Sequence, residues 1–268
     1  MKKNFMQKLM AAAILTVAAV SPSWADYTIT KSNGEPAVEG TDYKVAYFME
    51  LYTNNLVLSG EFNVAILPCT ANYTLTLKDA TITGDTWAGA LCYQKVSLLN
   101  IVLEGTNRIV SPSEGSAIHL YNGASEITFT GSGELYMTSQ ASDLDVAHSC
   151  LYIEIWEGMT GSVTAEGFTI KGSTTYNADI NTLTDASIES YTYTTPEYYG
   201  EMSAVDIRIG DAVCNTVWMK GPKAGPDLDP DAEYVIVTYK EGSDTKKAYY
   251  KTTDVETIEW LKGSDVTE

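Results

Sequence analysis

A step of 26 residues that recurs along the chain constrains its fold more than any other feature. Leu75-Thr-Leu-Lys-Asp79, Ile101-Val-Leu-Glu-Gly105 and Ile127-Thr-Phe-Thr-Gly131 all alternate apolar and polar residues, and they begin at positions 75, 101 and 127. Each ends at Asp or Gly, residue types that let a chain turn. A second strand follows each one: Ala80 to Thr83, Asn107 to Val110 and Glu134 to Thr138. A third class comes later in each unit, at Ala90-Leu-Cys-Tyr93, Ala117-Ile-His-Leu120 and Cys150-Leu-Tyr-Ile153. Extra residues collect between the second and third classes, at 84–89, 111–116 and 139–149. Like strands at one coil length, with insertions at one place per turn, are the pattern of a stacked solenoid, in which each coil buries too little by itself. Short alternating strands also build sandwiches and barrels. The repeat favours an all-β parallel solenoid, with Leu77, Leu103 and Phe129 in one internal column and Leu91, Ile118 and Leu151 in another. Earlier, degraded and further turns are expected at Leu56–Gly60, Val163–Gly167 and Val205–Gly210.

Residues 1–25 read as an export signal. Lys2, Lys3 and Lys8 precede an apolar run from Leu9 to Val20, and Ser23-Trp24-Ala25 offers small residues at the −3 and −1 positions of a cut after Ala25. The run is short of the about 20 residues that span a bilayer, and no second such run follows. The expected location is therefore secreted, periplasmic or cell-surface. Residues 26–220 are assigned to the solenoid. Residues 221–233, rich in Pro, Gly and Asp, read as an acidic linker. Residues 234–268 read as a C-terminal β-hairpin, with Tyr234 to Tyr239 and Lys246 to Lys251 flanking Glu241-Gly-Ser243, which serves either as a cap or as an appended module.

The formal net charge is −18. A surface so acidic disfavours nucleic acid and anionic lipid as partners. The cysteines Cys69, Cys92, Cys150 and Cys214 form no CxxC motif, which argues against zinc. Export permits disulfides, but four cysteines allow three pairings and spacing does not choose among them, while buried unpaired thiols fit equally well.

At this point the motifs resemble a family. Asn72-Tyr-Thr-Leu-Thr-Leu-Lys-Asp-Ala-Thr-Ile-Thr83, Ile101-Val-Leu-Glu-Gly-Thr-Asn-Arg-Ile109 and Ile127-Thr-Phe-Thr-Gly-Ser-Gly-Glu-Leu135 are similar in order and spacing to coils of secreted bacterial carbohydrate-binding domain-containing β-helix proteins. Gly40-Thr-Asp-Tyr43 and Leu58-Ser-Gly60 resemble that family's lead-in strands. The likeness covers roughly residues 27 to 172. It implies a right-handed single-stranded parallel β-helix, binding of a sugar or polyuronate, and bound calcium. It supplies no catalytic residues.

Site candidates follow from residue chemistry. Trp87 and Tyr121 are aromatic platforms on the loop side of the first two coils, with Asp85, Glu114 and Asn122 as partners for sugar hydroxyls. Asp143 and Asp145, in the longest coil loop, are the calcium candidates, and Asp227-Leu-Asp-Pro-Asp231 is half of an EF-hand-like loop. Trp156 and Trp218 are read either as sugar contacts or as covers for an open end. A lyase would need a base beside clustered carboxylates. Arg108 is the best-placed candidate, but no base recurs from coil to coil, and its plain reading is a surface ion partner. His119 and His148 occupy different coil positions and do not stack. The expected activity is therefore non-catalytic binding of a polysaccharide or oligosaccharide. A polysaccharide lyase-like enzyme and a structural adhesin or surface spacer stand as alternatives.

Overall fold

The computed structural model describes residues 27–84, 89–93, 98–112, 115–120, 125–140, 150–155, 160–195, 200–222, 233–241 and 244–254. Residues 1–25, read above as an export signal, lie outside them. The chain is all-β, built of mixed sheets. The strands up to the first insertion are β1 (Tyr27–Lys31), β2 (Tyr43–Val45), β3 (Met49–Leu51), β4 (Leu56–Phe62), β5 (Ile66–Pro68) and β6 (Asn72–Thr83). They are followed by β7 (Leu91–Tyr93), β8 (Leu98–Glu104), β9 (Thr106–Ser111), β10 (Ile118–Leu120), β11 (Ser125–Gly131), β12 (Glu134–Ser139), β13 (Leu151–Ile155) and β14 (Gly161–Thr164).

The three strand classes legible in the sequence form three parallel ladders. β4, β6, β8, β11 and β14 pair in that order. The second half of β6 pairs with β9, and β9 with β12. β3, β5, β7, β10 and β13 make the third ladder. Alternation puts one side of every ladder inward, so Leu56, Leu75, Ile101 and Phe129 lie side by side across four strands, all fully buried or nearly so. Leu91, Ile118 and Leu151 make the expected second column. Burying each such side chain stabilises the fold by about 1.5–3 kcal/mol.

β6 serves two ladders because the chain bends within it at Asp79, which sits at φ 51. The Asp79 carboxylate accepts from the Thr106 amide of the next coil at 2.9 Å, which ties the bend to its neighbour. A short polar side chain that bonds locally tolerates this left-handed conformation.

Two expectations are corrected. Phe129 lies opposite Ile101, and Gly131 opposite Leu103, so Phe129 does not join the Leu77–Leu103 column. Thr130 accordingly faces Val102. The step from β8 to β11 is two residues longer than the step from β6 to β8. A slip of two keeps every side chain on its face, and Phe129 is still buried. The stretch from Val205 to Gly210 is not a further coil, because it pairs antiparallel with β13.

That reversal belongs to a second set of strands: β15 (Thr169–Ser173), β16 (Thr184–Asp185), β17 (Ser187–Thr195), β18 (Gly200–Ile209), β19 (Ala212–Val213) and β20 (Thr216–Lys220). β20 runs antiparallel between β12 and β15, and β18 runs antiparallel between β13 and β17. The four cysteines are free thiols, with Cys92, Cys150 and Cys214 buried and Cys69 exposed. Among the described residues no helix is long and apolar enough to cross a membrane.

The first compact unit ends at Pro222, and a second begins at Lys223. In the second, β21 (Tyr234–Glu241) and β22 (Asp244–Lys251) pair antiparallel from Tyr234↔Lys251 to Glu241↔Asp244. The hairpin read from the sequence is present. Ile236, Val237 and Tyr250 are exposed on it.

Candidate functional site

The outer faces of β6, β9, β12 and β20 form the floor of an open cleft of about 610 Å³. Cross-strand register places Thr81, Arg108, Tyr136 and Trp218 in one row, each directly opposite the next. Such partners lie on the same face of a sheet and within reach of one another. Their chain neighbours Ile82, Ile109, Met137 and Val217 are buried in the core, which fixes the row as outward. A second row, one step along the strands, holds Thr106, Glu134 and Lys220.

The segment between β15 and β16 forms the cleft wall. Its Asn177 and Ala178 amides donate to Thr138 Oγ1 at 3.0 Å and to Thr216 Oγ1 at 3.1 Å. Thr216 Oγ1 donates in turn to the Thr175 carbonyl at 2.7 Å. The Tyr136 hydroxyl donates to the Ala178 carbonyl at 2.7 Å, and Arg108 Nη2 donates to Asn177 Oδ1 at 2.7 Å. Asp179 starts a 3-10 turn over Ile180–Thr182 by accepting from the Asn181 amide at 2.8 Å. Thr138 and Thr216 are buried, so the wall is anchored on bonds shielded from water, which are worth more than exposed ones.

The side chains in the cleft hold one another in place. The Arg108 guanidinium lies over the Tyr136 ring, 4.6 Å from its centroid. The Trp218 indole N–H donates to Glu134 Oε2 at 3.3 Å, and Lys220 Nζ donates to Glu134 Oε1 at 2.8 Å. The Lys220 ammonium, helped by the indole N–H, holds the Glu134 carboxyl below its ordinary range against the opposing effect of burial. Burial raises the Tyr136 phenol above its ordinary value, which keeps it a neutral donor at physiological pH. The cleft therefore offers two partly exposed aromatic rings, an amide, a guanidinium, carboxylates and hydroxyls on a pre-formed floor.

The residues singled out from the sequence fare differently. Asp85, Trp87, Glu114, Tyr121 and Asn122 lie outside the described residues, as do the calcium candidates Asp143 and Asp145, the Asp227–Asp231 loop, Trp156 and His148. Trp218 and Arg108 both line the cleft, on either side of Tyr136. Glu104, beside Arg108 in the sequence, pairs instead with Lys78 at 3.4 Å. Tyr136, Asn177 and Asp179 were not anticipated. Tyr136 reads as one more outward position of a strand, and nothing in residues 174–183 announces a wall. Among the described residues no group of three or more His, Cys, Asp or Glu is arranged to hold a metal.

Sheet register gathers a second polar row. Cys92, His119, Tyr152, Asp206 and Glu189 are successive partners across β7, β10, β13, β18 and β17. The first four are buried although they alternate with the core positions. The rings of His119 and Tyr152 lie 5.2 Å apart. Asp206 is wholly buried, with Arg208 Nε 3.7 Å from its Oδ1. Burial pushes its carboxyl up to about 6, with Glu189 adding to the rise and with Arg208 and Tyr191 opposing it. A carboxyl that holds its proton more tightly when folded stabilises the fold below its unfolded value near 3.8, and that stability is lost as pH rises through about 6. Asp206→Asn is expected to match the wild type at pH 4 and to be more stable by about 2 kcal/mol at pH 7. Urea denaturation at the two pH values measures this. An equal difference at both would mean that the carboxyl does not titrate in this range.

Comparison with protein families, characterised proteins and solved structures found no match to this chain.

Proposed function

We propose that this chain is an exported, non-catalytic carbohydrate-binding protein whose parallel strands are coils of a right-handed β-helix, and that the cleft floored by Arg108, Tyr136 and Trp218 takes the sugar. The coil reading is supported by three ladders in parallel register, each advancing by about one repeat of the sequence. The binding reading is carried by one observation: two aromatic side chains sit side by side on an open floor, with hydrogen-bonding groups along its margins. A pyranose ring has an apolar face that packs on an aromatic ring and a rim of hydroxyls that needs donors and acceptors. Trp218 supplies the first need at low entropic cost, beside a Tyr136 ring that the Arg108 guanidinium already covers on one side. Asn177, Arg108, Asp179 and Glu134 supply the second.

Glu134 is held ionised by Lys220, whereas glycoside hydrolysis needs a partner carboxyl that retains its proton. Calcium enters this reading only at Asp143 and Asp145.

A glycan array probed with the mature protein tests the proposal. Binding of at least one polysaccharide is expected, without release of reducing ends or of unsaturated products. Trp218→Ala is expected to weaken binding at least tenfold, equivalent to about 1.4 kcal/mol, and to leave the far-ultraviolet circular dichroism unchanged. Catalysed breakdown would replace the binding reading with the lyase one. Undiminished binding by Trp218→Ala would move the site away from this cleft.

A further inference from the structure

We infer that the cleft selects a neutral glycan lying across the strands, spanning at least four sugar units and bound without a metal ion. The inference rests on the carbohydrate reading above and adds the direction, length and charge of the ligand.

The direction follows from the wall. Successive contacts of the wall segment fall on different strands: Ala178 on β20 and β12, and Asn177 on β12 and β9. The wall thus crosses the strands, and a cleft bounded by it runs the same way. The floor row does so too. It passes from Thr81 through Arg108, Tyr136 and Trp218, and the register carries it on to Lys171 of β15 and Asp185 of β16. Neighbouring strands are spaced by about 4.8 Å, close to the advance of one sugar unit along an extended chain. Each strand therefore presents one side chain per sugar. The four strands under the cleft set the minimum length, and β15 and β16 extend the track. The Asn177–Ile180 wall bounds one side of this track, and the other side is open.

The ligand's charge follows from the cleft's own balance. Glu134 is neutralised by Lys220 at 2.8 Å. That leaves Arg108 and Asp179 as one opposite pair within the lining. The chain as a whole carries −18, and this is a region where that excess is locally cancelled. An acidic sugar would gain little from a balanced cleft and would meet the field of the remaining acids. A neutral sugar gains contacts with the rings and hydrogen bonds at no such cost, and it needs no cation as a bridge.

The test is isothermal titration with linear β-1,4-gluco-, xylo- and manno-oligosaccharides and α-1,4-gluco-oligosaccharides of two to six units, each with and without EDTA. Oligogalacturonates of the same lengths serve as the charged comparison. In at least one neutral series, affinity should rise at least tenfold from two to four units, a factor equal to 1.4 kcal/mol, and EDTA should leave it unchanged. Lys171→Ala should weaken the hexamer and leave the dimer as in wild type. Affinity independent of length, tightest binding by oligogalacturonate, or loss of binding in EDTA would each overturn this inference while leaving the carbohydrate reading intact. No binding by any series would overturn this inference, and no binding on the glycan array as well would overturn both.

Discussion

Asn107→Ala should lower the unfolding free energy by about 3–5 kcal/mol, read as a large drop in the urea midpoint at unchanged slope. Asn107 is buried to 1 % exposure. Its Oδ1 accepts from the Ala80 amide at 3.0 Å, and its Nδ2 donates to the Glu104 carbonyl at 3.0 Å and the Glu134 carbonyl at 3.2 Å. One side chain thus satisfies backbone groups on three successive turns of the chain, at the corner where β6 bends, β8 ends and β12 begins. Alanine would leave all three facing a space with no partner. Each buried group left unpaired costs about 1–3 kcal/mol, less whatever water recovers by entering. Asn107→Asp keeps the shape and the acceptor but loses both donors, so it should not rescue. A loss below about 1 kcal/mol in the alanine variant would mean that the corner is held by the ladders alone.

Gly131→Ala should cost about 3–4 kcal/mol, measured in the same way, while Gly34→Ala should cost only about 1–2 kcal/mol. Both glycines have positive φ, 91° and 85°, so both substitutions carry the backbone strain of an L residue in that region. They differ in space. A Cβ on Gly34 meets nothing within 4 Å, whereas one on Gly131 would stand 2.3 Å from the Leu103 carbonyl oxygen and 2.9 Å from the Leu103 amide nitrogen. Those atoms belong to a paired strand and cannot swing aside as a side-chain tip can. The gap between the two variants measures how closely successive turns approach. Equal costs would show that turns β8 and β11 are not packed in the described register.

The same glycine explains why the fold was legible in sequence and its register was not. Period-2 alternation marked the first two strand classes because each buries one face and leaves the other outward, whereas the third buries both, with Cys92, His119 and Tyr152 on its second face. Aligning the segments by their apolar alternation sets Gly105 against Gly131. In Gly131-Ser-Gly133 it is the second glycine that matches, for a Cβ on Gly133 would meet the Gly105 carbonyl and the Glu134 amide bonds to that same carbonyl at 2.8 Å. A turn with two glycines offers two alignments, and both keep the apolar residues inside, so pattern alone could not choose. The cleft was harder to read. Tyr136 and Trp218 are neighbours through an antiparallel strand that does not follow the repeat, and the wall is placed by threonine hydroxyls that look like any others in a strand-rich chain. Arg108 and Trp218 were visible as unusual residues, but nothing local shows that they share a surface.

The position of β20 also ties the cleft to contacts between distant parts of the chain. The parallel ladders join segments about one repeat apart, so each can close soon after its partner exists. The cleft is different. The Arg108–Asn177 bond spans 69 residues, and the Lys220–Glu134 bond spans 86. Contacts between distant segments carry a larger loop-closure cost and form late. A chain still emerging, or one cut before Thr216, can stack its coils but has neither the Trp218 floor nor the Thr216 anchor of the wall. The cleft is thus complete only once β20 lies between β12 and β15, and any molecule bridging these strands would hold that closure in place.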